Sequence, residues 1–262
     1  MKLKIYQVDA FTAKVFGGNP AAVCILDGWL PTEIMQQIAQ ENNLAETAFL
    51  VQKNSTFELR WFTPEIEVDL CGHATLASAF VIFNHYGYTE KTIRFYSSRS
   101  GELLVTKKDN GWMTMDFPTD QLVALQGNTA IDKAIGLTPL RTLKGKTDYL
   151  LIYNSQEEIE AIQPNFHLLD LLDCRGVIVS APGKNVDFVS RFFAPKCGIP
   201  EDPVTGSAHT TMLPYWSKVL GKTQLAAKQL SKRSGDLQCE YLGERVKISG
   251  QAVLYLVGEI NI

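Results

Sequence analysis

Four positions hold side chains suited to moving a proton or holding an anion. Glu46 stands in NNLAETAFLV, directly ahead of a strongly apolar stretch. A carboxylate entering a core is costly unless it is paired or functional. Glu46 is therefore either a strand-edge residue facing water or a general acid/base. His73 follows Gly72 in DLCGHATL, and Asp202 and Ser207 sit in PEDPVTGSAHTT. Asp202 reads as a turn residue or as a group reaching substrate. Ser207 reads as a helix cap or as a donor to a substrate carboxylate. His73 reads as a hydrogen-bonded structural residue or as part of the same site. No second His or carboxylate stands at a ligand spacing from it, so a metal role is not expected.

Cys71 precedes Gly72 and raises the question of a thiol base. Its meaning depends on a pattern that runs through the chain. RWFTP at 60–64 recurs as RFFAP at 191–195, and Gly72-His73-Ala74 faces Gly206-Ser207-Ala208 134 residues later. RSGEL at 99–103 returns as RSGDL at 233–237. Three patches in the same order read as two copies of one unit. A two-thiol racemase on such a frame needs a second Cys opposite Cys71, and Thr205 occupies that place. A threonine hydroxyl is a poor base without strong activation. Cys71 then reads as a small wall residue, with a one-thiol racemase left as an alternative.

The positioning elements follow. Residues 74–83 are apolar almost all the way round, which demands a helix buried on every side. Alternating Val, Ile and Phe bounded by turn residues mark the surrounding strands. The expected class is α+β. Two similar domains, 1–118 and 119–262 with the last strand free to return to the first, each curl a mixed or antiparallel sheet around one central helix. The active site is expected between them, with Gly72 and Gly206 at the two helix N-termini. Free amides and the positive dipole end there suit a carboxylate.

Composition narrows the function. Net charge is −3 with no Lys/Arg cluster, so no nucleic acid partner is expected. The longest apolar stretch is far too short for a bilayer, and no signal-peptide pattern opens the chain, so the expected location is cytoplasmic. Five scattered cysteines without a CxxC pair read as reduced thiols. No phosphate-binding loop, GxGxxG, HExxH or GxSxG is present, and no cofactor is expected.

VDAFTAKVFGGNPAAVC (8–24), NNLAETAFL (42–50), FTPEIEVDLCGHATLASA (62–79) and FFAPKCGIPEDPVTGSAH (192–209), in that order, resemble the PhzF-like (phenazine biosynthesis isomerase) family. The resemblance implies the diaminopimelate-epimerase-like fold and an isomerase without metal or organic cofactor. It puts the acid/base glutamate at Glu46, with Ala45 where the family motif has serine. It puts the other catalytic residues at His73, Asp202 and Ser207. Asn19, Cys71, Gly72, Thr205 and Gly206 fall on the substrate-binding side. A homodimer acting on a small carboxylate-bearing molecule is implied as well. DLCGHAT departs from the phenazine enzyme in its Cys before the glycine and its Ala after the histidine, so chemistry carries over better than substrate. The remaining alternative is a metabolite-binding or interaction protein that keeps the fold without turnover.

Overall fold

The structure, a computed structural model, describes residues 1–262. In chain order the elements are β1 (Lys2–Ala10), β2 (Asn19–Leu26), α1 (Thr32–Asn42), β3 (Glu46–Lys53), β4 (Thr56–Phe62), β5 (Glu67–Val68), α2 (Gly72–His85), β6 (Thr92–Ser97), β7 (Gly101–Lys107) and β8 (Met113–Pro118). Next come β9 (Val123–Leu125), α3 (Thr129–Ile135), β10 (Arg141–Lys144), β11 (Asp148–Ile152), α4 (Gln156–Ala161), α5 (Phe166–Asp170), β12 (Gly176–Pro182), β13 (Phe188–Ala194) and β14 (Ile199–Asp202). The chain closes with α6 (Gly206–Leu220), β15 (Gln224–Gln229), β16 (Gly235–Tyr241), β17 (Arg245–Gly250) and β18 (Ala252–Asn261). Two compact units result, one of residues 1–116 with 249–262 and one of 117–248. The chain leaves the first unit within β8 and returns within β17.

In the first unit β1 pairs antiparallel with β18 and β2, β2 runs parallel to β3, and β3 pairs antiparallel with β4. The sheet continues through β6, parallel to β4, and then antiparallel through β7 and β8. Strands β2 and β3 read as continuous apolar runs because both their faces are covered. Helix α2 packs against β1, β2, β3 and β18. Met35, Ile38 and Ala39 of α1 join Ala22, Cys24, Phe49 and Val51 in a core cluster. Helix α2 itself is buried from His73 to Ala79 and from Val81 to Phe83, which its lack of a charged face requires.

The second unit repeats this order of pairings. β10 pairs antiparallel with β9 and β11, β11 runs parallel to β12, and β12 pairs antiparallel with β13. β13 pairs antiparallel with β14 and parallel with β15, which continues antiparallel into β16. Helix α6 packs on β11 and β16. It is anchored by Trp216, whose ring stacks on Phe188 at 5.7 Å and whose Nε1 donates to Ser180 Oγ at 2.9 Å. Pro214 lies inside α6 and cannot bond the carbonyl of Thr210. The amide of Asp120 takes that carbonyl instead, at 3.3 Å, and the Asp120 carboxylate accepts from Thr211 Oγ1 at 2.8 Å.

The recurring RxF patch has a physical role. Arg60 forks onto Glu67 at 2.8 and 2.7 Å and lies over the Phe62 ring. Arg191 forks onto Glu201 at 2.7 and 3.0 Å and lies over Phe193. Each arginine thereby ties a long strand to the short strand that leads toward a helix start.

The loop between β1 and β2 is tightly wound. Gly18 has φ +59°, and a Cβ there would stand 2.1 Å from the Ala10 carbonyl oxygen. Gly18→Ala should therefore destabilise the chain by roughly 2–3 kcal/mol, from strain and overpacking together. A fall in the urea midpoint at unchanged slope would register it, and an unchanged midpoint would refute the tight turn.

Candidate active site

The tight turn at Gly18 starts β2 on Asn19, which is fully buried. Glu46 opens β3, and the parallel register sets it beside Ala21. Cys71 is the extended N-cap residue of α2, and Gly72 and His73 form its first turn. These three elements bring Asn19, Glu46, Cys71, Gly72 and His73 together in the first unit. His73 Nε2 lies 3.0 Å from Glu46 Oε2. The approach is off-axis, because that oxygen has no aligned hydrogen-bond donor. Asn19 Nδ2 donates to His73 Nδ1 at 3.1 Å, which leaves the proton of a neutral ring on Nε2, facing Glu46. Cys71 Sγ stands 3.5 Å from Nδ1 and 4.0 Å from Nε2.

Burial disfavours a charged imidazole, yet Cys71 and Glu46 outweigh it and hold His73 well above its ordinary range. Burial, with Glu46 beside it, pushes the Cys71 thiol up to about 11, so at neutral pH it is protonated. A charged ring needs the Asn19 carboxamide turned so that its oxygen accepts from Nδ1–H, which costs no change of shape.

The second unit gathers Asp202, Thr205, Gly206 and Ser207 at the start of α6. Thr205 is the extended N-cap residue, as Cys71 is for α2. Its hydroxyl donates to Asp202 Oδ2 at 2.5 Å. Gln229 on β15, fully buried, locks this turn. Its Oε1 accepts from the Thr205 amide at 2.9 Å, and its Nε2 donates to the Asp202 carbonyl at 2.8 Å. Arg175 donates to Ser207 Oγ at 3.1 Å and forks onto the buried Asp148. A cation therefore stands directly beside the serine. Gln229, Arg175 and Asp148 escape the sequence reading. Gln229 gives one signal, falling on the inward phase of β15, and Asp148 another, being a carboxylate at the head of an apolar strand.

At the fourth residue after each N-cap, a side chain bonds the N-cap carbonyl. Thr75 Oγ1 donates to the Cys71 carbonyl at 2.6 Å, and His209 Nδ1 donates to the Thr205 carbonyl at 2.8 Å. Neither N-cap side chain caps its own helix, so the first-turn amides keep their donors for other partners.

The family model for phenazine biosynthesis-like proteins matches residues 8–258. The chain belongs to the phenazine biosynthesis-like (PhzF) family. It is 48% identical, over the whole of both chains, to an uncharacterized isomerase of Pseudomonas aeruginosa. It is 41% identical to phenazine biosynthesis-like domain-containing protein 1 of Mus musculus, again over the whole of both. The crystal structure of a PhzF-family protein of Enterococcus faecalis superposes with a TM-score of 0.97 at 48% identity, covering both chains fully. A probable proline racemase of Agrobacterium radiobacter, at 9% identity, matches with a TM-score of 0.64 over 99% of this chain and 93% of that one. That likeness is one of fold, and with the mixed sheets it bears out the α+β, epimerase-like class read from the sequence. This PhzF-family chain is an isomerase. No helix in it is long and apolar enough to cross a membrane.

His209 carries a measurable consequence. Burial pushes it down to about 4, and its Nε2 has no partner. The unfolded chain takes up that proton below about pH 6.5 and the folded chain does not. Its contribution to stability is therefore full above pH 6.5 and is lost as pH falls toward 4. Between pH 7.5 and 5 the loss should be about 2 kcal/mol. Urea unfolding of His209→Thr, which copies Thr75, should show a pH dependence shallower by that amount. Parallel profiles would refute the assignment.

Proposed function

We propose that this PhzF-family isomerase moves a proton on a small carboxylate-bearing metabolite by general acid/base catalysis, with no cofactor. The observation that carries the reading is a contrast between two buried carboxylates at strand starts. Asp148 is held by both arms of the Arg175 fork. Glu46 has a buried Oε2 with no hydrogen-bond donor and only an off-axis imidazole beside it. A carboxylate oxygen kept from water without an aligned donor is expensive as structure and useful as a base.

In this reading Glu46 removes a C–H proton from the substrate, leaving the electron pair in a conjugated system. His73 shares the proton and helps return it elsewhere on the same skeleton. Asn19 and Cys71 hold the ring. Asp202, Thr205, Gly206 and Ser207 are assigned to binding the substrate's carboxylate, an assignment supported by Arg175 beside Ser207. Gly72 and the first-turn amides of α2 are assigned to charge that develops in the transition state. The domain division expected from the sequence, the cytosolic location and the homodimer stay part of the proposal. Five free thiols support a reducing compartment, and the exposed run Tyr255-Leu256-Val257 supports a second copy as partner.

Cys71 Sγ at 3.5 Å from the imidazole favours a second reading, a racemase or epimerase in which the thiol carries the proton. Two measurements separate them. Glu46→Gln should lower substrate-dependent exchange of C–H for deuterium by roughly 100-fold or more. Full exchange in that variant would remove Glu46 from the chemistry. Alkylation of Cys71 that abolishes exchange, and that substrate prevents, would favour the thiol.

A further inference from the structure

The trio in the first unit has a ligand chemistry that proton transfer does not use. Glu46 offers a carboxylate oxygen, Cys71 a sulfur and His73 a ring nitrogen, all within 4.8 Å of one another. Oxygen, nitrogen and sulfur together suit a borderline-soft cation, above all Zn²⁺. Ordinary Zn²⁺ bond lengths at tetrahedral angles put N and O about 3.3 Å apart and N and S about 3.6 Å apart. The chain has 3.0 Å from His73 Nε2 to Glu46 Oε2 and 4.0 Å from Nε2 to Cys71 Sγ. The trio spans up to 4.8 Å, so the Cys71 side chain must close by up to about 1 Å for all three atoms to reach one ion.

Two further observations point to a ligand. Glu46 Oε2 is buried with no aligned hydrogen-bond donor, and only the His73 imidazole, 3.0 Å away, approaches it. The Asn19 carboxamide stands at His73 Nδ1, 3.1 Å away. Turned about, its oxygen accepts Nδ1–H and leaves Nε2 bare, the arrangement that orients most histidine ligands. Three protein donors leave a fourth position open to water, as in exchangeable rather than purely structural sites.

We propose that Glu46, Cys71 and His73 form a Zn²⁺ site whose occupation shuts off the isomerase. Binding involves no redox change. The thiol proton and any proton on Nε2 pass to solvent, and the thiolate, the imidazole and the carboxylate bond the ion. The ion thereby takes the lone pair that would accept the substrate proton. The binding half stands on the geometry alone, and the shut-off half rests on the proposed function.

Titration of the full chain with Co²⁺, followed by displacement with Zn²⁺, separates the two halves. One equivalent should bind, with a thiolate-to-cobalt charge-transfer band in the near ultraviolet and tetrahedral bands in the visible. Cys71→Ser should abolish the charge-transfer band, and Glu46→Gln should weaken Zn²⁺ binding at least tenfold. Cys197→Ser, at the exposed thiol, should change neither. Absence of the band, its survival in Cys71→Ser or its loss in Cys197→Ser would overturn the site. Zn²⁺ should also suppress deuterium exchange, and a chelator should restore it. Undiminished exchange at full loading would overturn the shut-off while leaving the site standing. Loss of exchange in Glu46→Gln, read without metal, tests the proposed function separately.

Discussion

A carboxylate and an imidazole lie 3.0 Å apart inside an apolar core, and much of the first unit exists to keep them there. Removing two ionisable groups from water costs several kcal/mol each, and only close mutual attraction offsets it. The attraction requires that neither partner drift. Glu46 is fixed because it begins β3, which is hydrogen-bonded on both sides. His73 is fixed because the helix it begins has no face it could turn to water. Asn19 holds the far side of the ring, and its place depends on the Gly18 turn.

The second unit solves the opposite problem. Its buried carboxylate, Asp148, meets a guanidinium, and its turn is stitched by Gln229. The same pairing order of strands thus supports one helix start beside a carboxylate, a thiol and an imidazole and another with a hydrogen-bonded polar cradle. Short α-helices cover one and a longer amphipathic helix the other. Leu169 of α5 and Ile131 of α3 share a cluster with Val177 and Val179, whereas Met35 and Ile38 of α1 pack with Cys24 and Phe49.

What could be read from the sequence was whatever left a pattern along the chain. Helix α2 was legible because ten apolar or small residues in a row leave no solvent face. Glu46 was legible because a charge heads an apolar strand. Asp148 bears the same mark in TDYLLI and went unread, and its partner Arg175 sits in DCRG, where nothing local sets it apart. Along the chain no carboxylate stands at a ligand spacing from His73, so its spatial neighbours were not legible there. The fold brings Glu46 beside it from another strand. The repeat of Arg60 and Arg191 was visible as letters, but its meaning, a fork tying one strand to the next, needed three dimensions.

Arg175 leaves Ser207 a narrow repertoire. A guanidinium donating to Oγ occupies one lone pair and polarises the hydroxyl toward giving up its hydrogen. The hydroxyl keeps its own hydrogen to donate and a second lone pair to accept, so its direction is set by the guanidinium rather than by the helix it begins.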